Sequence, residues 1–398
     1  MKNIDVAIFG AGIAGLWVFH RLKSMGYDAL LLESGTIGGG QSIASQGIIH
    51  SGLKYAIAGQ VNDLARSISA MPDLWRAALR GIGPIDLSAA RIAAESQYML
   101  IPSGFMGGLV KVVSKKALGG NVHEIPKADW PADIKNSGFQ GSVIFMGEPV
   151  LDVPSVLRAL AEPYSDSIKK SPTLTLPLKG GGNEAGEYIR LAAVGGGEIL
   201  IKPKYKIFTA AGSNHPLADA AGHGKGLKTQ KRPLLMGMMK NAPFEIYAHM
   251  VGASEKPIAT ITSHRCADGS LVWYLGGSVA ERDKDANPQA VFAAARKAFA
   301  KYMPDVDLSH AQWAVLPIDR VEGKSDTQGW LPDTPTIHAA GNALYCWPTK
   351  LTFAPMLADM VVEKLTGLKP SGHLSDFSDL ESVPYSDAPW DAANWVNV

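Results

Sequence analysis

Residues 4–34 confine the start of this chain to one kind of architecture. Ile4-Asp5-Val6-Ala7-Ile8-Phe9 is a strand-like run that leads directly into Gly10-Ala11-Gly12-Ile13-Ala14-Gly15. Behind the glycines, Ile13, Leu16, Trp17, His20 and Leu22 recur at mostly helical spacing as far as Gly26. Ala29-Leu30-Leu31-Leu32 then reads as a second strand ending at Glu33. Strand, G-x-G-x-x-G turn, helix, strand and acid is the order of a βαβ dinucleotide-binding unit. Gly10 permits the tight turn, Gly12 lets the backbone approach a pyrophosphate, and Gly15 lets helix and strand pack closely. The helix start at Ile13 and Ala14 presents unpaired N–H groups and a positive dipole end to phosphates. Glu33, with Ser34 beside it, stands eighteen positions after Gly15 and is expected to accept hydrogen bonds from ribose hydroxyls. An acid there suits FAD or NAD and repels the 2′-phosphate of NADP.

At 398 residues the chain has room for two domains or one large composite. With 46 % hydrophobic and 19 % charged residues it fits an ordinary globular protein and not a disordered one. A formal net charge of +1 supplies no bulk attraction to nucleic acid or to an anionic membrane. Two cysteines, Cys266 and Cys346, cannot build a disulfide framework or a multi-thiolate zinc site, which favours a reducing, cytoplasmic setting and no metal. No signal-peptide pattern precedes the first strand, and no apolar stretch reaches transmembrane length uninterrupted. Peripheral membrane contact stays open.

Three later stretches share the βα character. Pro149 to Val153 is extended, with Pro154 at a helix entry and Val156, Leu157 and Leu160 following. Ile199-Leu200-Ile201 and Tyr205 to Ala210 read as two strands ending at Ala211-Gly212. Residues 342–367 read as strand, turn and helix. Between them, 232–277 is strand-rich, with a hairpin signal at Asp268-Gly269, and 87–141 lacks clear periodicity. The segment 171–186, SPTLTLPLKGGGNEAG, is compositionally foreign and reads as an inserted loop without chemistry. The expected fold is α/β: a Rossmann-like FAD-binding domain from residues 1–86, 142–222 and 328–398, interleaved with an α+β substrate domain from 87–141 and 223–327 built on an antiparallel sheet.

The choice of FAD rests on a resemblance. From Gln41-Ser42 through Gly47-Ile48-Ile49-His50-Ser51-Gly52 to Tyr55, the chain resembles the D-amino-acid oxidase superfamily of FAD-dependent oxidoreductases. The Ile49-His50-Ser51-Gly52 run is most similar to glycerol-3-phosphate and L-2-hydroxyglutarate dehydrogenases. The resemblance implies that this stretch passes the pyrophosphate and lies against the flavin. It also implies that the strand ending at Gly212 closes over FAD, and that Gly341 and Trp347 to Thr352, with Lys350, Leu351 and Thr352 at the helix entry, form the C-terminal FAD-binding turn. That turn is poorer in glycine than the family's usual one. Some relatives attach FAD through cysteine, but Cys346 is not in their attachment motif.

The implied chemistry is removal of a hydride from a carbon bearing a hydroxyl or amine in a small acid, with oxygen, a quinone or a protein as electron acceptor. His50 is the candidate base, since imidazole accepts a proton near neutrality; packing against the flavin is its structural alternative. Lys350 would place positive charge near the reduced flavin, or simply cap a surface helix. Arg265 and Arg320, with His264, fall in regions that by analogy line the substrate side, and a guanidinium there would fork to a substrate carboxylate. The competing expectation is an FAD-binding subunit or scaffold without turnover of its own.

Overall fold

The computed structural model describes residues 1–50, 69–104, 122–171, 188–252, 256–324 and 334–398. The expected inserted loop lies outside these residues except for Ser171, as does Ser51 to Tyr55 of the resembling stretch.

One sheet carries the strands in the order Thr336–Ala340, Ala343–Trp347, Glu198–Phe208, Lys2–Phe9, Ala29–Glu33, Ile168–Lys170, with Ile189–Ala192 pairing onto Glu198–Phe208. Lys2–Phe9 runs parallel to both its neighbours, and Ala343–Trp347 runs parallel to Glu198–Phe208. Its residues alternate between two cores. Val6 and Ile8 join Leu16, Trp17, Leu157 and Leu357 beneath the helices Ile13–Ser24, Val153–Ala161 and Ala354–Lys364. Ala7 and Phe9 join Leu30, Phe208 and Tyr345 on the other face. A central parallel strand is buried on both sides, which is why Val6 to Phe9 reads as a continuous apolar run.

Where two strands were expected around Pro203, the chain forms one, Glu198–Phe208. Pro203 pairs with Ile4 on one side, while on the other Ile189–Ala192 stops at Ile201 and Ala343–Trp347 starts at Lys206. The proline falls in that gap, so its missing N–H breaks no ladder there.

The second sheet has nine strands, in the order Val396–Asn397, Gln312–Gly323, Thr229–Lys240, Leu271–Gly276, Ala259–Arg265, Ala248–Met250, Gln97–Pro102, Gly141–Met146, Val122–Ile125. It is mixed and not purely antiparallel, because Ala248–Met250 runs parallel to Gln97–Pro102. Two stretches of the residues assigned by sequence to the FAD-binding part, 142–146 and 396–397, pair into this sheet. The expected hairpin at Asp268-Gly269 joins Ala259–Arg265 to Leu271–Gly276, with Gly269 at φ +82°.

The helix Pro288–Tyr302 covers one face of this sheet, packing Phe292 and Phe299 against Trp273 and Trp313. The opposite face meets residues 44–46. There the Tyr274 hydroxyl donates to Ala44 O at 2.8 Å, and Gln46 Nε2 donates to Thr260 O and Tyr274 O at 3.0 Å each. These bonds seat the segment after the glycine turn between the two sheets.

Candidate active site

The C-terminal ends of the parallel strands converge on the glycine turn. Gly10 stands at φ +100°, and a Cβ there would lie 2.9 Å from the carbonyl carbon and oxygen of Thr209. At Gly15 a Cβ would lie 1.9 Å from Gly10 O and 2.6 Å from Thr209 Oγ1. The Thr209 hydroxyl in turn donates to Phe9 O and Gly10 O at 2.9 Å. Both glycines are therefore demanded by contact, and Gly10 also by its backbone angle. Gly12 occupies the N-cap of the helix Ile13–Ser24, which has neither a side-chain cap from that position nor an acid in its first turn. Ser42 Oγ accepts the Ile13 N–H at 2.8 Å. This leaves a positive helix end beside a glycine backbone, a cradle suited to a pyrophosphate.

Glu33 faces the same turn. Its Oε2 accepts the Ala11 N–H and its Oε1 the Gly35 N–H, each at 2.7 Å. The carboxylate is thus pinned at the strand end beside Ser34, with acceptor capacity left over for a ribose. Asn214, fully buried, bridges the two strand ends on the far side by accepting the Ala210 N–H at 2.8 Å and donating to Cys346 O at 3.0 Å. Gly212 lies in the turn beside Asn214, 3.4 Å from Val321 of the second sheet as measured from a built Cβ. The donor and acceptor set at these strand ends fits FAD.

The stretch beginning at the half-buried Gln41 continues to the reacting end. Gly47, at φ +73°, packs where a Cβ would lie 2.2 Å from Leu151 O. Ile49 N–H donates to Pro149 O and Leu151 N–H donates to Gly47 O, each at 2.9 Å. Thr352 locks the end of this stretch, since its hydroxyl donates to Ile48 O and accepts the His50 N–H, both at 3.3 Å. Its own carbonyl takes the Trp75 indole N–H at 2.9 Å. Lys350 precedes the short turn Leu351–Phe353, and its Nζ lies 5.6 Å from the Phe353 ring centroid.

His50 meets two residues that the sequence did not single out. Its Nδ1 lies 3.5 Å from Oε2 of Glu148, whose side chain is 2 % exposed. Gln97 Nε2 donates to that same oxygen at 2.7 Å. The His249 ring stacks near His50, with centroids 6.2 Å apart at 26°, and its Nδ1 pairs with Thr260 Oγ1 at 2.8 Å. Burial, reinforced by the neighbouring His50, pushes the His249 ring down to about 4, so it is neutral near neutrality. Donor atoms of His50, Glu148 and His249 lie within 4.8 Å of one another.

Other sequence candidates fall elsewhere. Arg265 is exposed and paired with Glu245 beside the hairpin turn, five positions beyond Thr260, the residue level with His249. At about 3.4 Å per residue that is roughly 17 Å from the histidine pair, too far to share a substrate with it. Gly341, at φ +57°, turns the hairpin that precedes Ala343–Trp347. It therefore sits at the start of a strand whose end points to the site, on the wrong edge of the sheet for FAD. His264 stacks on Trp390 at 3.9 Å and is pushed down to about 3 by burial, making it part of the core. Cys346 is buried, and burial pushes its thiol up, away from the thiolate that covalent attachment needs. Arg320 lies four strands from His249, opposite Arg232, on the face that by alternation carries Ile318, Leu316 and Tyr274.

A family model described as FAD dependent oxidoreductase, DAO, matches residues 5–363. The chain belongs to the DAO family of FAD-dependent oxidoreductases. Probable FAD-dependent oxidoreductase PA4991 of Pseudomonas aeruginosa is 38 % identical over 395 residues, covering 98 % of each chain. Its crystal structure superposes with a TM-score of 0.80 at 33 % identity over 98 % of each chain. Glycine oxidase from Geobacillus kaustophilus shares the fold at TM-score 0.62 and 16 % identity, covering 94 % of this chain and 100 % of its own. The FAD-bound L-alpha-glycerophosphate oxidase of Mycoplasma pneumoniae does so at 0.62 and 14 %, covering 92 % and 95 %. The protein is an FAD-dependent oxidoreductase of mixed α/β fold, and no described helix is long and apolar enough to cross a membrane.

Proposed function

We propose that this oxidoreductase oxidises a small hydroxy or amino acid at the carbon bearing the hydroxyl or amine. The observation that carries the reading is His50, half-exposed beside the buried Glu148 at the end of the stretch that leaves the dinucleotide turn. FAD, when bound, supplies the hydride acceptor and hands the electrons on to oxygen, a quinone or a protein. Gly10, Gly12, Gly15, Ser42 and Glu33 hold the adenosine and pyrophosphate end, while Gly47, Ile49 and Thr352 fix the backbone around His50. His50 takes the substrate's O–H or N–H proton. Arg320, four strands from His249 and so roughly 19 Å away at about 4.8 Å per strand, is too far to hold a substrate at His50, whereas Lys350 places positive charge near the helix entry that the family uses for the flavin. Glycine oxidase and L-amino acid deaminase among the structural neighbours support an acid substrate by name, and glycerophosphate oxidase supports a hydroxyl. Two buried free thiols suit a reducing cytoplasm.

The test is an anaerobic screen of hydroxy and amino acids against the FAD-loaded protein, read as bleaching of flavin absorbance. Bleaching by a member of either class is the expected result. A loaded protein that no acid in a broad panel bleaches is a scaffold and not this enzyme.

A further inference from the structure

Glu148 is given no chemical role in the reading above, yet it is costly to keep where it stands. A carboxylate with 2 % side-chain exposure loses its hydration and must be met by donors. Gln97, itself fully buried, turns its amide nitrogen and not its oxygen toward Glu148, so Oε2 is held as an acceptor. His50 Nδ1 is also turned toward Glu148 Oε2. Their approach is set by the main chain. Ile48 bridges Val150 in antiparallel sense, and Ile49 N–H donates to Pro149 O. Two residues out from that bridge, positions 50 and 148 fall opposite each other. Thr352 fixes the His50 end of the same pairing. A distance of 3.5 Å is long for a hydrogen bond, but catalytic contacts tighten when the site is filled.

We propose that Glu148 is the positioning residue of the base: it accepts the Nδ1–H of His50, leaves the Nε2 lone pair facing the substrate, and balances the imidazolium that forms. This rests on the reading of His50 as the base. In the step it supports, the substrate C–H bond breaks as a hydride to FAD and the O–H or N–H bond breaks as a proton to His50 Nε2. The carbon is left as a carbonyl or imine. His249 stays neutral through burial and is held by Thr260, so it packs beside the imidazole without competing for Glu148 as a second cation. The arrangement is that of a carboxylate holding a histidine in one tautomer, applied here to a dehydrogenation.

Histidine-15N-labelled, FAD-loaded protein tests this without a substrate, with His50 assigned by its absence in His50→Asn. The Nδ1–H tautomer is expected in the parent protein and a mixed or Nε2–H ring in Glu148→Gln. With an acid found by bleaching, Glu148→Gln should reduce flavin roughly 10–100-fold more slowly with little change in KM, and Glu148→Asp should restore part of both signals. An Nε2–H ring in the parent protein overturns the proposal, and it does so even if Glu148→Gln does not fold. Glu148→Gln with unaltered tautomer and rate also overturns it, as does stoichiometric Zn²⁺ uptake by the holoenzyme that Glu148→Gln abolishes. If His50→Asn reduces flavin at the parent rate, it is the base assignment that fails. If that variant is slow while Glu148→Gln is not, Glu148 alone is misassigned.

Discussion

Arg232 and Arg320 stand directly opposite each other across an antiparallel ladder, and each places an Nη2 2.9 Å from the same oxygen, Oε1 of Glu322. Like charges in that position repel, and the buried carboxylate offsets the repulsion while Gln230 satisfies its other oxygen at 3.0 Å. The two arginine side chains are about one-third exposed, at 31 % and 33 %, and line a cavity of about 330 Å³ with Arg282 and Lys256.

Glu322→Gln leaves the two arginines facing each other without the carboxylate they share. A fully buried broken pair costs about 3–5 kcal/mol; with the arginines partly solvated, about 1–3 kcal/mol is expected. Urea denaturation of the FAD-loaded protein measures it. Stability equal to the parent's, at low and moderate salt alike, would show that Glu322 is not what holds the arginines together.

Glu33→Ala removes the acceptor for the Ala11 and Gly35 amides as well as the proposed ribose contact. FAD should bind more weakly by about 1.5–3 kcal/mol, roughly tenfold to over a hundredfold in Kd. Fluorescence titration of apo-protein with FAD reads the change directly, and an unaltered Kd removes Glu33 from the cofactor site.

The parts of the site that were legible in the sequence are those made by neighbours in the chain. Gly10, Gly12, Gly15 and Glu33 belong to one βαβ unit, whose turn and helix impose their spacing whatever surrounds them. His50 was found through the resemblance carried by the stretch that leaves that unit, a run that is itself continuous in the chain. Glu148, Gln97 and His249 were missed because Gln97 and His249 come from different strands and Glu148 from the link that follows Gly141–Met146, and the pairing of Ile48 with Val150 is a long-range event with no local mark. His249 reads as one more member of a strand, and nothing in its neighbours announces that Thr260 stands opposite. Arg265 and Gly341 failed for the complementary reason. Their residue types suited the site, but which end of a strand a residue occupies depends on register, and register is decided between strands.

Stability should fall as the solution is acidified from about pH 7 toward pH 4. His249 and His264 are buried neutral, pushed down to about 4 and about 3, whereas in the unfolded chain a histidine titrates near 6.5. Below about pH 6.5 the unfolded chain therefore takes up protons that the folded state refuses, and folding weakens progressively until the folded-state values are reached. The expected loss is roughly 2 kcal/mol for each ring between pH 7 and pH 5. His264→Gln, which leaves the site residues in place, should flatten the dependence of denaturation midpoint on pH in that window. A slope identical to the parent's would mean that His264 charges without unfolding the protein.

Gly15→Ala tests the closest contact in the dinucleotide turn. The added methyl would stand 1.9 Å from Gly10 O and 2.6 Å from the Thr209 hydroxyl. The hydroxyl can rotate away, but doing so gives up its bonds to Phe9 O and Gly10 O. The main-chain oxygen of Gly10 cannot move without shifting the turn itself. Relief must come from displacing the start of the helix Ile13–Ser24, where Ile13 N–H holds Ser42 and the phosphate-facing amides begin. Overpacking of this kind costs about 1–3 kcal/mol, and here the strain falls on the cofactor cradle. The variant should therefore lose FAD affinity more than it loses stability without FAD. Parallel measurement of the FAD Kd and of the apo-protein's urea midpoint separates the two. Equal losses in both would place the strain in the general core, and an unchanged Kd would mean that the helix start plays no part in holding FAD.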